Sequence, residues 1–170
     1  PISIHPDEYA FDALLTMTRH NVRHLPVMKD GKAVGVITTN NLLARQSLSA
    51  VYMAGRIGKL TDPADMAKVI KQVPELLSHL IEAGATSQNA GHIVTTLSDA
   101  ATVRLLQLAE ERLGPPPVPY VWMAGGSQGR QEQTALSDQD NCLIIDDAYD
   151  PEQHGEWFRA LADFVCDGLN

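Results

Sequence analysis

The sequence predicts an α+β protein, and three observations carry that prediction. Near the N-terminus two short apolar runs flank Lys29-Asp30-Gly31-Lys32, the pattern of a β-hairpin closed by a tight turn. Residues 61–113 repeat apolar side chains at three- and four-residue steps, the period of helices with one buried face. Towards the C-terminus, a strand-like run ends in Gly125-Gly126-Ser127 and a second starts at Asp138 and continues through Leu143-Ile144-Ile145, as in strand, glycine turn, short helix or loop, strand.

The elements follow in order within three regions, 1–50, 51–114 and 115–170. Pro6 and Asp7 start a helix whose stripe is Tyr9, Ala13, Leu14 and Met17, ending near Asn21. Strands at 22–28 and 33–38 form the hairpin, and Thr39-Asn40-Asn41 caps a helix through Leu42, Leu43 and Ala44. In the middle region Thr61 or Asp62 caps a helix with Pro63 in its first turn, and Pro74 predicts a kink or a division into two helices ending at Gly84. A long helix spans about 89–113, with Ile93, Leu97, Ala101, Leu105 and Leu108 on its stripe, closed by Gly114; it is expected to pack antiparallel to the preceding helix. The proline run 115–119 is a stiff extended spacer. Residues 147–154 read as a polar loop, and 156–169 as a helix turning Trp157, Leu161, Phe164 and Val165 to the sheet.

Composition narrows the function. In 170 residues, 44% are hydrophobic and 20% charged, ordinary for a globular protein with a sizeable core. A net charge of −8 and a pI near 5.1 argue against a broad basic face, so no nucleic-acid partner is expected. Two cysteines, Cys142 and Cys166, make no disulfide framework; Cys142 is expected to be buried in its strand, and free thiols suit a cytoplasmic location. No run of about 18 apolar residues suggests a membrane partner. The start at Pro1 and the helical pattern up to Asn170 lead to the expectation of a piece of a longer protein.

The chemistry concentrates in residues 121–147, VWMAGGSQGRQEQTALSDQDNCLIIDD. Side chains two apart on a strand share a face about 6–7 Å from each other, so Asp138 and Asp140 would aim two carboxylates at one point, suited to a hard divalent cation. Gly126 and Ser127 would offer backbone N–H groups and a hydroxyl to an anion. A phosphate cradle followed by a metal pair supplies the parts for moving a nucleotidyl group. Arg130 either reaches a phosphate or pairs with Glu132 or an Asp. Glu132 is expected to orient the turn. The histidines, including His20, His24, His79 and His92, are read as surface or packing residues.

Gly126-Ser127, Gly129-Arg130, Glu132 and Ser137-Asp138-Gln139-Asp140 resemble the Gly-Ser…Asp-x-Asp signature of the DNA polymerase beta-type nucleotidyltransferase superfamily. They are closest to the branch of the PII uridylyltransferase, and to nucleotidyltransferase domains that follow paired CBS (cystathionine-beta-synthase) domains in bacterial signalling proteins. The order helix, HLPVMKDGKAVGVIT, helix in residues 1–50 resembles a single CBS motif. That resemblance places an adenine nucleotide's ribose at Thr38 and Asn41, where Asn41 stands in place of an acidic residue. Regions 51–114 and 115–170 would be a helical linker and the first part of a nucleotidyltransferase fold with a mixed sheet.

The resemblance implies catalytic and metal-binding Asp138 and Asp140, Mg2+ or Mn2+, a nucleoside triphosphate held by Gly126, Ser127 and Arg130, and an acceptor that could be a signalling protein. Superfamily members use a third carboxylate from a later strand, and Asp146, Asp147 and Asp150 fall where none easily closes the site. The 170-residue chain is therefore expected to bind metal weakly and not to turn over. An alternative function is a catalytically idle module sensing adenine nucleotides through the CBS motif. A third is a dimerisation piece, because a single CBS motif leaves an apolar face uncovered and a homodimer would cover it.

Overall fold

A computed structural model describes residues 2–39, 49–82, 84–134 and 137–170. The N-terminal unit contains α1 (Ala10–Arg19), β1 (His24–Lys29) and β2 (Lys32–Thr38). Asp30 and Gly31 have φ of 50° and 74°, the positive pair that a two-residue hairpin turn needs to follow the strand twist. The antiparallel register runs from His24↔Thr38 to Lys29↔Lys32 with an irregularity between Val27 and Met28. Ile4 adds an isolated parallel bridge to Val27 beside this two-stranded antiparallel sheet. Ala13, Leu14 and Met17 are buried as the stripe predicts, but Tyr9 is 80% exposed. It lies before the first turn, and its backbone N–H donates to Asp12 Oδ2 at 3.1 Å. The capping role takes it off the buried face. The helix expected after Thr39, including Asn41, lies outside the described residues.

The middle region holds four helices among the described residues: α2 (Ser49–Ile57), α3 (Pro63–Ile70), α4 (Val73–Glu82) and α5 (Ser87–Leu113). Asp62 caps α3 by accepting the Ala64 N–H at 2.9 Å. Pro74 sits in the first turn of α4, where its missing N–H costs nothing, so the chain divides there into two helices. Thr86 caps α5 and Gly114 closes it at φ 83°. Helix α5 is the axis of the molecule, 27 residues and so about 40 Å long. It buries Ala90, Gly91, Val94, Thr95, Thr102 and Ala109 as well as the expected stripe, because neighbours cover it on several sides: α1, α2, α3, α4 and α7 (Pro151–Leu169) all pack on it. A pairing with α4 alone is too simple.

In the C-terminal region β3 (Tyr120–Ala124) pairs antiparallel with β4 (Asn141–Ile145), and the four-residue turn of helix α6 (Gly126–Gly129) lies between them. Helix α7 seals one side of this pair: Phe158, Leu161 and Val165 are buried, and Trp157 and Phe164 are half-buried. Tyr120, Tyr149 and Trp157 stand edge-on to Phe158 at centroid distances of 4.9–5.8 Å. Such edge-to-face pairs stabilise beyond the area they bury. Burial, then the Glu110 carboxylate that accepts its hydroxyl proton at 2.6 Å, holds the Tyr120 phenol well above its ordinary pKa.

Helix α7 begins earlier than residue 156, at Pro151, capped by Asp150 accepting the Glu152 N–H at 2.9 Å. Cys142 is exposed, not buried. Alternation along β4 puts it on the open face of the strand pair with Val121, Met123 and Ile144, while Trp122, Leu143 and Ile145 pack inward.

Candidate functional site

The site is built where β3 ends. Gly125 and Gly126 break the strand, and α6 turns the chain back on itself through Gly129 N–H to Gly125 O at 2.7 Å and Arg130 N–H to Gly126 O at 3.2 Å. A Cβ on Gly129 would lie 2.8 Å from the Ala124 carbonyl, so only glycine lets the turn close this tightly. The Glu132 N–H donates to Ser127 O at 2.8 Å, and the Gly125 N–H donates to Asp140 O at 2.6 Å, fastening the turn to the start of β4.

The sequence places the second strand's start at Asp138; the ladder begins at Asn141. The reason lies in the partner. Ala124↔Asn141 is the last register pair, and beyond Gly125 the first chain coils into α6, leaving residues 137–139 no strand to pair with. Alternation nevertheless persists: Ser137, Gln139 and Asn141 are partly buried, while Asp138, Asp140 and Cys142 are exposed.

A polar ladder fixes this phase. Trp122 Nε1 donates to Asn141 Oδ1 at 3.2 Å, Asn141 Nδ2 to Gln139 Oε1 at 3.3 Å, and Gln139 Nε2 to the Leu169 carbonyl. With the intervening side chains tied inward, both aspartates face solvent.

Asp140 meets the glycine turn directly. Gly126 has φ 48°, and a Cβ there would fall 1.8 Å from Asp140 Oδ2. The space a side chain would occupy is filled by the carboxylate. Asp138 lies at the edge of an open cleft of about 440 Å3 that it shares with Cys166 and Asn170. Arg130 Nε contacts Glu132 Oε2 at 3.0 Å with both side chains 65% exposed, so of the two partners open to it, the ion pair is the one formed. Thr38 belongs to the N-terminal hairpin, opposite His24, and is not part of this turn. Among the described residues no three His, Cys, Asp or Glu side chains gather as a metal-binding group.

Helix α5 supports the turn from behind, which sequence reasoning missed. Gln128, 6% exposed, donates from Nε2 to Asp99 Oδ1 at 2.8 Å. At Gly91 a Cβ would lie 3.1 Å from Gln131 O and 3.4 Å from Glu132 Cα, so the loop after the turn rests on a bare patch of helix. A glycine inside a helical pattern, which costs about 1 kcal/mol against alanine, is the signal that pointed there.

The family model described as Putative nucleotidyltransferase DUF294 matches residues 71–170, from α4 through the site to the end of the chain. The chain belongs to that family. In this DUF294 chain a CBS-domain model matches residues 1–47, so the nucleotidyltransferase-like part is linked to a CBS segment, as the sequence resemblance implied. No curated protein and no solved structure matches it. The DUF294 match includes α5 together with the glycine turn that α5 supports.

Proposed function

We propose that the glycine turn and the aspartates that follow it bind a nucleoside triphosphate and take part in transferring its nucleotidyl group to an acceptor, under control of the CBS segment. The observation that carries this is the Asp140 carboxylate seated against Gly126, which joins a hard anionic ligand to a turn that opens on a residue with no side chain.

An acceptor nucleophile attacks the α-phosphorus in line and pyrophosphate leaves. Asp138 and Asp140 would hold Mg2+ or Mn2+, and such an ion, when bound, supplies positive charge against the phosphates being transferred. The donor set suits it: magnesium is commonly held by one or two carboxylates, with water and substrate phosphates completing the shell. Gly126 admits the phosphates close to backbone, and Ser127 supplies a hydroxyl. The surface pair between Arg130 and Glu132 is worth about 0–1 kcal/mol, so Arg130 can exchange Glu132 for a phosphate at little cost.

Control by the CBS segment is supported by α5, which packs α1 and α2 and also carries Asp99 and Gly91 against the catalytic loop. A signalling protein as acceptor, and an adenine nucleotide at Thr38 and Asn41, belong to the same proposal through the CBS match at residues 1–47. A homodimer does too, supported by Val34 and Val36, which are 58% and 59% exposed on β2.

The test is titration with Mg2+ and ATP or UTP, followed by assay of labelled nucleotide transfer in cell extract. D138N and D140N should each weaken Mg2+-dependent binding at least tenfold and leave adenine-nucleotide binding at the CBS segment unchanged. Equal magnesium-dependent binding by the wild type and both variants would sink the proposal.

A further inference from the structure

The contacts between α5 and the turn extend the proposal made for that turn and rest on it. Gln128 is the one side chain of α6 that is buried, and its amide reaches out of the turn to the Asp99 carboxylate, 29 residues earlier on α5. Gly126 and Ser127 directly precede it, and its own carbonyl accepts the Gln131 N–H at 3.0 Å. A displacement of Gln128 as a whole therefore carries the peptide groups on both sides with it. Eight residues along α5 from Asp99, about 12 Å, Gly91 receives the backbone of Gln131–Gln133.

Two points of attachment on one rigid helix fix both the position and the tilt of the loop. A charged acceptor makes the Gln128 bond stronger than a neutral pair. Gln128 lines one cavity with Val94, Leu97 and Ala101, and in that setting its amide finds a partner in the Asp99 carboxylate, as a buried polar group must.

We propose that Asp99 and Gln128 are a positioning pair for the triphosphate-binding turn: Asp99, on the helix that also carries the N-terminal segment, sets through Gln128 the orientation in which Gly126 and Ser127 face the ligand. Neither residue touches the ligand.

The pair can be broken and remade with near-isosteric changes. Q128E sets two carboxylates against each other. D99N keeps an oxygen acceptor for Gln128. In the double variant D99N/Q128E the new amide at position 99 donates to the new carboxylate at position 128, so the bond returns with its direction reversed.

Two measurements are made on the full 170-residue chain: amide hydrogen exchange at Gly129, Arg130, Gln131 and Glu132, and calorimetric titration with Mg2+ and tripolyphosphate, a probe that needs no nucleotide base. Q128E should lose about tenfold in protection at those amides while β1 amides stay unchanged, and should bind tripolyphosphate about tenfold more weakly. D99N, which keeps an acceptor but loses its charge, should fall between wild type and Q128E, and the double variant should recover both quantities.

Unchanged protection in Q128E, or failure of the double variant to recover it, overturns the pair. If the wild type does not bind tripolyphosphate at all, the nucleotide proposal falls, and exchange alone still decides whether the pair holds the turn. Wild-type binding that Q128E leaves intact while protection falls overturns the positioning role and leaves the nucleotide proposal standing.

Discussion

At Gly126 a single hydrogen atom decides whether the turn and the carboxylate can coexist. Alanine there would meet two costs: a left-handed φ of 48°, worth about 1–2 kcal/mol for a residue with a Cβ, and a methyl 1.8 Å from Asp140 Oδ2. The aspartate is exposed and can swing away, so the clash is relieved by displacing the group that the site needs. We expect G126A to lower the urea midpoint by the equivalent of about 1–2 kcal/mol and to weaken Mg2+–triphosphate binding by more than the stability loss accounts for. Gly35 is the control, because a Cβ there meets nothing within 4 Å and its substitution by alanine should leave binding unchanged. The sequence marked the glycine as a turn position at which backbone could approach a phosphate, since Gly-Gly-Ser ends an apolar run. It did not make the contact with Asp140 legible, because that depends on where β4 begins. Period-two alternation gave the correct faces for Asp138 and Asp140, yet the same alternation read as burial misplaced Cys142. A strand pattern tells which residues share a face and not which face is covered.

Elements were legible where a chemical signal marks their ends. Asp62-Pro63 and Asp150-Pro151 are the same signal, a carboxylate cap followed by a residue whose missing N–H is no loss at a helix start. Only the first stands clear in the sequence, because 147–154 is so polar that composition outweighs the cap. Helix α2, with Ala50, Val51, Met53, Ala54 and Ile57 buried, had no such mark and was not separated from the region around it. The cap on α7 leads to a pH prediction. The Glu152 N–H, then the Gln153 side chain, hold the Asp150 carboxyl below its ordinary value. A depressed folded-state pKa means that this stabilisation is complete above the unfolded value, about 3.9, and is lost as pH falls through the lower folded one. The wild type should therefore be more stable than D150N at pH 6, and the gap should close as pH falls below about 4. Urea midpoints of both proteins from pH 6 to 3 measure it, and a gap that stays constant or widens in acid would show that the carboxylate charge is not what caps the helix.

On the scale of the whole molecule, the sequence suggested three regions in a row, a hairpin unit, a helical linker and the start of a catalytic fold. In the structure the longest helix of the middle region packs with elements of both other regions. Helix α5 packs α1 and α2 on one side and α7 on another, and Leu105 lies so close to Gly168 that a Cβ there would approach it to 2.6 Å. A linear reading cannot find this, because apolar periodicity reports that a face is buried and is silent on how many partners bury it. The residues around α5 held the clue: Ile93, Val94 and Thr95 in succession span about 200° of its circumference, too wide for a single partner. One consequence is that the hairpin and the glycine turn should not unfold separately. Leu97, fully buried on α5, is the place to test it. L97A removes an isopropyl group from a packed core and should cost about 2–5 kcal/mol, a large part of the 5–15 kcal/mol typical of a domain. Both tryptophans, Trp122 and Trp157, lie in the C-terminal region, so their fluorescence follows that end, while exchange at the buried Leu25 amide follows the hairpin. If α5 joins the two, L97A shifts the fluorescence transition and the Leu25 protection by the same free energy. A hairpin that keeps its wild-type protection while the tryptophan transition falls would mean that α5 does not couple the CBS segment to the turn.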